Sequence, residues 1–244
     1  MFFRTFRAEQ MKMQHSPVWL AFFIFPILPV VMGTFNYLQN VDILQDAWYS
    51  LWTQHTLFTC YFFFPPLIGV YCSYLCRLEH LNHNWNAVMT APVPVADLYF
   101  SKLISASMMV LLTQVWNGIL FIISGKLCGL NAPIPTELAG WLLCGALGGI
   151  VICALQLCLS LFIRSFAVPV GIALIGGIGG LVAMAKGYGA WFPYSLLSVG
   201  MRANQPSGAM QCGTEQFVLV SCFYVTAGVV FAVLWLKKRD VVAG

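Results

Sequence analysis

Six stretches of this chain contain no Asp, Glu, Lys or Arg, and together they hold more than half of its 244 residues. They cover residues 18–35, 56–76, 103–125, 138–163, 165–185 and 216–236, each 18 to 26 residues long. A helix rises about 1.5 Å per residue, so about 20 apolar residues cross the roughly 30 Å hydrocarbon layer with every backbone group paired inside the helix. The expected fold is therefore an all-α integral membrane protein: six transmembrane helices in a single transmembrane domain over residues 1–244. Only 8% of the residues are charged, against about 25% in an ordinary soluble domain, which excludes a water-soluble fold. Six spans leave roughly 110 residues for tails and loops, too few for a separate globular domain, so any ATP-hydrolysing domain is expected on another chain. The basic start at Arg4, Arg7 and Lys12 leads into a span without a small-residue cleavage site, so the N-terminus is expected to stay attached.

Loop charge sets the orientation, because Lys and Arg in short loops stay on the cytoplasmic side. With the N-terminus inside, the inner segments hold nine of the twelve basic residues, and the outer loops hold only Lys126, Lys186 and Arg202. Both termini are therefore expected in the cytoplasm. Seven of the nine cysteines (Cys60, Cys72, Cys76, Cys144, Cys153, Cys158 and Cys222) fall in or beside spans, where the thiol is a small apolar group. Cys128 and Cys212 fall in outer loops, and spacing alone leaves open whether they are bridged or free. His15, His55, His80 and His83 have no CxxC partner, so no metal site is expected.

The chain carries no GxGxxG, P-loop or HExxH pattern and no carboxylate pair in mid-span, so neither an enzyme nor an ion pump is expected. Nothing points to nucleic acid. The in-span polar groups Gln114, Asn117 and Gln156 are neutral amides, which bind neighbouring helices more often than substrate. Trp191, Phe192 and Tyr194 in the outer loop after span five suit either membrane anchoring or contact with an amphiphile. That loop, over 186–215, reads as a re-entrant or interfacial turn. Residues 1–16 mix aromatic and basic side chains as an amphipathic helix on the inner interface would. Pro26 and Pro29 in span one and Pro65-Pro66 in span two are expected to kink their helices. Gly171, Gly176, Gly177, Gly179 and Gly180 in span five should admit another helix closely, and the short connection at Arg164 predicts a tight inner hairpin of spans four and five.

The inner loop over 77–102 is the most polar part of the chain. Leu78, Leu81, Trp85, Val88 and Met89 recur at spacings of three and four, opposite Glu79, His80, Asn82, His83 and Asn86. That pattern predicts a short amphipathic helix ending before Pro92, which a plain interfacial linker and a partner-docking element would both show. Glu79, Asn84-x-Asn86 with Trp85, the turn Ala91-Pro92-Val93 and the run Tyr99-Phe100-Ser101-Lys102 together resemble ABC-2 type permeases. Within these, the chain is similar to the lantibiotic-immunity and bacitracin-type permease subunits. Ala87-Val88 stands where those chains commonly carry a basic residue.

The resemblance implies a non-catalytic permease of the bacterial cell membrane that exports or expels an amphiphilic peptide antibiotic. Its cofactors, ATP and Mg, would sit on a partner ATPase present in two copies, and a second permease chain, identical or related, would complete the transporter. The loop would be the coupling helix, with Glu79, Asn82, His83, Asn84, Trp85, Met89 and Pro92 as the ATPase-coupling residues. The rival reading is a non-transporting membrane assembly or anchoring protein.

Overall fold

The computed structural model describes residues 1–81, 85, 93–205 and 208–238. Helix α1 (Phe2–Met13) precedes α2 (Val18–Ile24) and α3 (Ile27–Gln39); α4 (Ala47–Phe58) runs through a π-helical turn, Thr59–Phe63, into α5 (Phe64–His80). Then come α6 (Val95–Leu127), α7 (Leu138–Phe162), α8 (Ala167–Ala185), the short α9 (Ser195–Gly200) and α10 (Thr214–Lys238). Among the described residues, six helical stretches are long and apolar enough to cross a bilayer: α2–α3, α4–α5, α6, α7, α8 and α10. Each contains most of one charge-free window. The chain is a multi-pass membrane protein.

Span one breaks where Pro26 and Pro29 remove two backbone donors. Span two does not break. Pro65 has no N–H for the Tyr61 carbonyl, yet the helix stays continuous over Ala47–His80 because the π turn immediately before it shifts the hydrogen-bond register. The two prolines are thus accommodated next to a π bulge without interrupting the helix. The same spot receives α8: a Cβ at Gly177 would lie 2.3 Å from the Tyr61 carbonyl oxygen, so only glycine permits the approach.

Span two is the buried axis of the bundle, with 72% of its apolar window inside, whereas spans five and six leave most of their surface free at 22% each. The four-residue turn 163–166 joins α7 to α8, but α8 lies mainly across α5 and the π turn, not against α7. The hairpin expected of spans four and five is therefore splayed. Helix α9 is buried throughout and rests on α7 by paired glycines: a Cβ at Gly148 would meet the Leu196 carbonyl, and one at Gly200 the Cys144 carbonyl, each at 2.5 Å. The loop before α10 thus dips back into the bundle.

Two helices are longer than the membrane needs. The 34 residues of α4–α5 and the 33 of α6 each span about 50 Å at 1.5 Å per residue, against roughly 30 Å of hydrocarbon. Helix α6 is favoured by Asp97 in its first turn and Lys126 in its last, each charge complementing the helix dipole. Helix α1 packs against the early turns of α6 and the last turns of α5.

Candidate functional site: a buried charge cluster under the inner loop

The ends of α5 and α6 flank the inner loop, and four charged side chains meet between them. Glu79 lies in the last turn of α5, Lys102 in the third turn of α6, and Glu9 and Lys12 come from α1. The Lys102 ammonium is fully buried and donates to Glu79 Oε1 at 2.6 Å, Glu9 Oε1 at 3.0 Å, Glu9 Oε2 at 3.1 Å and the Leu75 carbonyl at 2.8 Å. Lys12 donates to Glu9 Oε1 at 2.7 Å and also to Glu79 Oε1, and it alone of the four reaches solvent. Two carboxylates and two ammoniums make the cluster neutral. Such a group is stable only as a whole: removing one partner from a buried ion pair costs about 3–5 kcal/mol, because the other is left charged and unpaired. Glu79 Oε2 takes no hydrogen bond among the described residues.

The local sequence explains the arrangement. On α1, Glu9 and Met13 are one turn apart and are its buried residues, while Phe3 and Met11 are exposed on other sides. Gln10 Nε2 donates to Ser105 Oγ at 2.9 Å, and Trp19 Nε1 donates to the Met13 carbonyl at 3.0 Å, closing the C-terminal end of α1. His15, with φ 57°, turns the chain into α2.

At the same end, the Arg77 guanidinium lies over the Phe166 ring, and Phe162 packs on Trp235. The loop base, the 163–166 turn and the end of α10 therefore share one end of the bundle. His80 Nε2 donates to the Ser160 carbonyl at 2.8 Å, which leaves Nδ1 to accept from Trp85 Nε1 at 3.0 Å. Trp85 is half-buried against the core.

These positions revise the reading of the loop. Glu79 is 2% exposed and its charge is neutralised by lysines of its own chain, so it offers no free carboxylate to a partner. Trp85 is turned back onto His80 and is not an open anchor. Leu78–His80 continue α5, and Leu81 is already extended (ψ 145°), which interrupts the apolar stripe predicted through Leu78, Leu81 and Trp85. Asn82, His83, Asn84, Met89 and Pro92 lie outside the described residues.

At the opposite end of the bundle, Trp48 Nε1 donates to the Ala132 carbonyl and Trp52 Nε1 to the Met201 carbonyl, pinning the connecting segments at that end onto span two. Trp191 is 61% exposed and lines, with Phe192, Tyr188 and Lys186, an open recess of about 370 Å³ on α8. Tyr194 is not part of that surface. It is buried, its phenol pushed up to about 12 by desolvation, and its hydroxyl pairs with the Gln156 amide at 2.7 Å.

Gln114 is buried with its amide nitrogen against the Met201 sulfur. Neither amide atom of Asn117 has a hydrogen-bond partner among the described residues, and the side chain lines a cavity of about 10 Å³ beside Pro26, Pro29, Thr59 and Thr113. That space is about one water molecule. The three amides thus face three separate places and form no common binding site. Cys128 and Cys212 are free thiols. Among the described residues no group of His, Cys, Asp or Glu is placed to hold a metal ion.

Residues 5–180 match the family described as ABC-2 family transporter protein. The chain belongs to that family. The match runs from α1 through most of α8, and so includes all four members of the charge cluster and the loop above them. No curated protein and no solved structure matches the chain. The ABC-2 protein is a membrane permease, the non-catalytic transmembrane subunit of a transporter whose family works with ABC ATPase subunits. In this permease Glu79 was visible to sequence reasoning, but Glu9, Lys12 and Lys102 were not recognised as its partners. The available signal was their rarity: they are four of only twenty charged residues, twelve basic and eight acidic.

Proposed function

We propose that this permease expels an amphiphilic peptide antibiotic of the lantibiotic or bacitracin type from a bacterial cell membrane, driven by two copies of a separate ATPase docked on the inner loop. The observation that supports the coupling half is the rigid base of that loop. Both ends of the 82–92 segment leave from helices held together by a buried four-charge cluster, so a push on the loop moves α5 and α6 together. A linker with no mechanical role needs no such footing. The charge asymmetry of the loops supports placing this end, with both termini, in the cytoplasm.

Docking would fall to the loop itself, Asn82, His83, Asn84, Met89 and Pro92, with Trp85 and Glu79 acting from beneath. The recess on α8 offers the exposed Trp191 ring and the Lys186 ammonium to an amphiphile arriving from the outer leaflet. A second permease chain, identical or related, would cover part of the free faces of spans one and five, since span two is filled within its own bundle.

The test is reconstitution of the permease and its ATPase in liposomes, with a lantibiotic as ligand. Peptide-stimulated ATP hydrolysis that falls in Trp191→Ala/Phe192→Ala supports the reading. Hydrolysis indifferent to the peptide removes the substrate class, and failure of the two subunits to associate removes the transport reading in favour of an anchoring protein.

A further inference from the structure

We infer that α1 is a fixed structural part of the coupling element, clamped to the base of the inner loop through Glu9, and that it travels with α5 and α6 as one body during the transport cycle. The inference rests on the coupling reading above and adds to it three positioning residues: Glu9, Lys12 and Lys102. Four observations converge. First, both carboxylate oxygens of Glu9 lie within 3.1 Å of Lys102 Nζ, so the contact is a two-point grip.

Second, Lys102 holds α1 and α5 at once, because it also binds Glu79 and the Leu75 carbonyl. Third, the grip is dry: Lys102 is 0% and Glu9 1% exposed, so opening it would strand charges away from water. An element that must part at every turnover is poorly served by such a contact. Fourth, a second, uncharged bond between Gln10 and Ser105 lies on the next turn of α6, so α1 is tied to two successive turns of α6. The exposed Phe3 and Met11 side chains leave α1 a face for the lipid interface. Thus α1 joins the loop base to the membrane surface.

The test uses the full permease assembled with its ATPase. Glu9→Gln removes the charge of the grip but keeps its shape. Gln10→Cys with Ser105→Cys, oxidised and verified by peptide mapping, restores the α1–α6 tie covalently. The parent chain carried through the same oxidation controls for the native thiols. In Glu9→Gln, measured per assembled complex so that any lower membrane level is divided out, ATPase co-purification should persist while transport per ATP falls by at least about fivefold, the low end of usual coupling between sites.

The disulfide should leave transport intact in the parent and restore it in Glu9→Gln, which a general loss of stability would not allow. Transport blocked by the oxidised disulfide overturns the inference, since α1 would then have to separate from α6; so does unchanged coupling in Glu9→Gln. Amide exchange over residues 2–13 of the purified permease reads the clamp without the ATPase. Protection should fall in Glu9→Gln by about tenfold or more, and equal exchange in both proteins overturns the clamp. Should the subunits not associate at all, the coupling reading fails by itself while exchange still reports on the clamp.

Discussion

Lys102→Met is the most informative single change, because methionine keeps much of the lysine stem while deleting the charge that three helices share. In the variant, Glu9 and Glu79, neither more than 2% exposed, have only Lys12 between them, and the Leu75 carbonyl loses its side-chain donor. A buried pair broken in this way costs about 3–5 kcal/mol. At about 2–4 °C per kcal/mol for a chain of this size, the melting temperature of the purified permease should drop by roughly 6–20 °C. Charge imbalance is the stated cause, so Lys102→Met combined with Glu79→Gln should recover most of the loss, a coupling that a double-mutant cycle reads directly. The assay is thermal unfolding in detergent of the parent, both single variants and the double variant. If Lys102→Met melts within about 2 °C of the parent, a deficit of no more than about 1 kcal/mol, or if the two changes simply add, the cluster does not hold these helices together.

Gly177→Val places a side chain against the Tyr61 carbonyl, a backbone atom that cannot swing away; it should cost about 1–3 kcal/mol or more by overpacking and lower the membrane level. Gly171→Val, which meets nothing within 4 Å, should be tolerated in the same blot. Tyr194→Phe deprives the buried Gln156 amide of its 2.7 Å partner and should lower stability by about 1–3 kcal/mol in a melt. A membrane-impermeant maleimide applied to intact cells should reach Cys128 and Cys212 but not His83→Cys. Burial pushes both loop thiols up, an effect that Arg202 opposes at Cys212. The reactive thiolate is therefore scarcer than in a free cysteine at neutral pH, and labelling rates should climb as pH rises through the alkaline range.

What the sequence made legible was whatever the bilayer itself imposes. Charge-free runs mark spans because an unpaired charge in hydrocarbon is costly wherever it occurs along a helix, and six apolar helical stretches take up the six runs, with α4–α5 and α6 starting well before theirs. Their mutual packing was not legible. The windows do not say that α8 crosses α5 instead of pairing with α7, because that choice rests on close approaches between positions far apart in the chain, Gly177 against the Tyr61 carbonyl and Gly69 against Val170 and Ala173. Nor does a proline announce whether a helix will break, as at Pro26, or absorb it with a π turn, as at Pro65.

The candidate site was half legible. Glu79 stood out, but as a charge aimed at a partner. Its true neighbours lie 67 and 23 residues away, at Lys12 and Lys102, and no local period links positions so far apart. Tyr194 misled in the same manner. It sits two residues after Phe192 in an aromatic run, yet the dip of α9 into the bundle turns it inward to Gln156 while Trp191 stays outside.

The central claim is that the inner loop above the charge cluster carries the ATPase, and site-specific photo-cross-linking tests it most directly. A photoreactive benzoyl side chain introduced at His83 or Met89 in the intact complex should give an adduct with a chain that hydrolyses ATP, identified by its peptides, and the same probe at Lys186 at the other end of the bundle should not. An adduct of that ATPase through Lys186, or none through either loop position while the subunits still co-purify, would contradict the account.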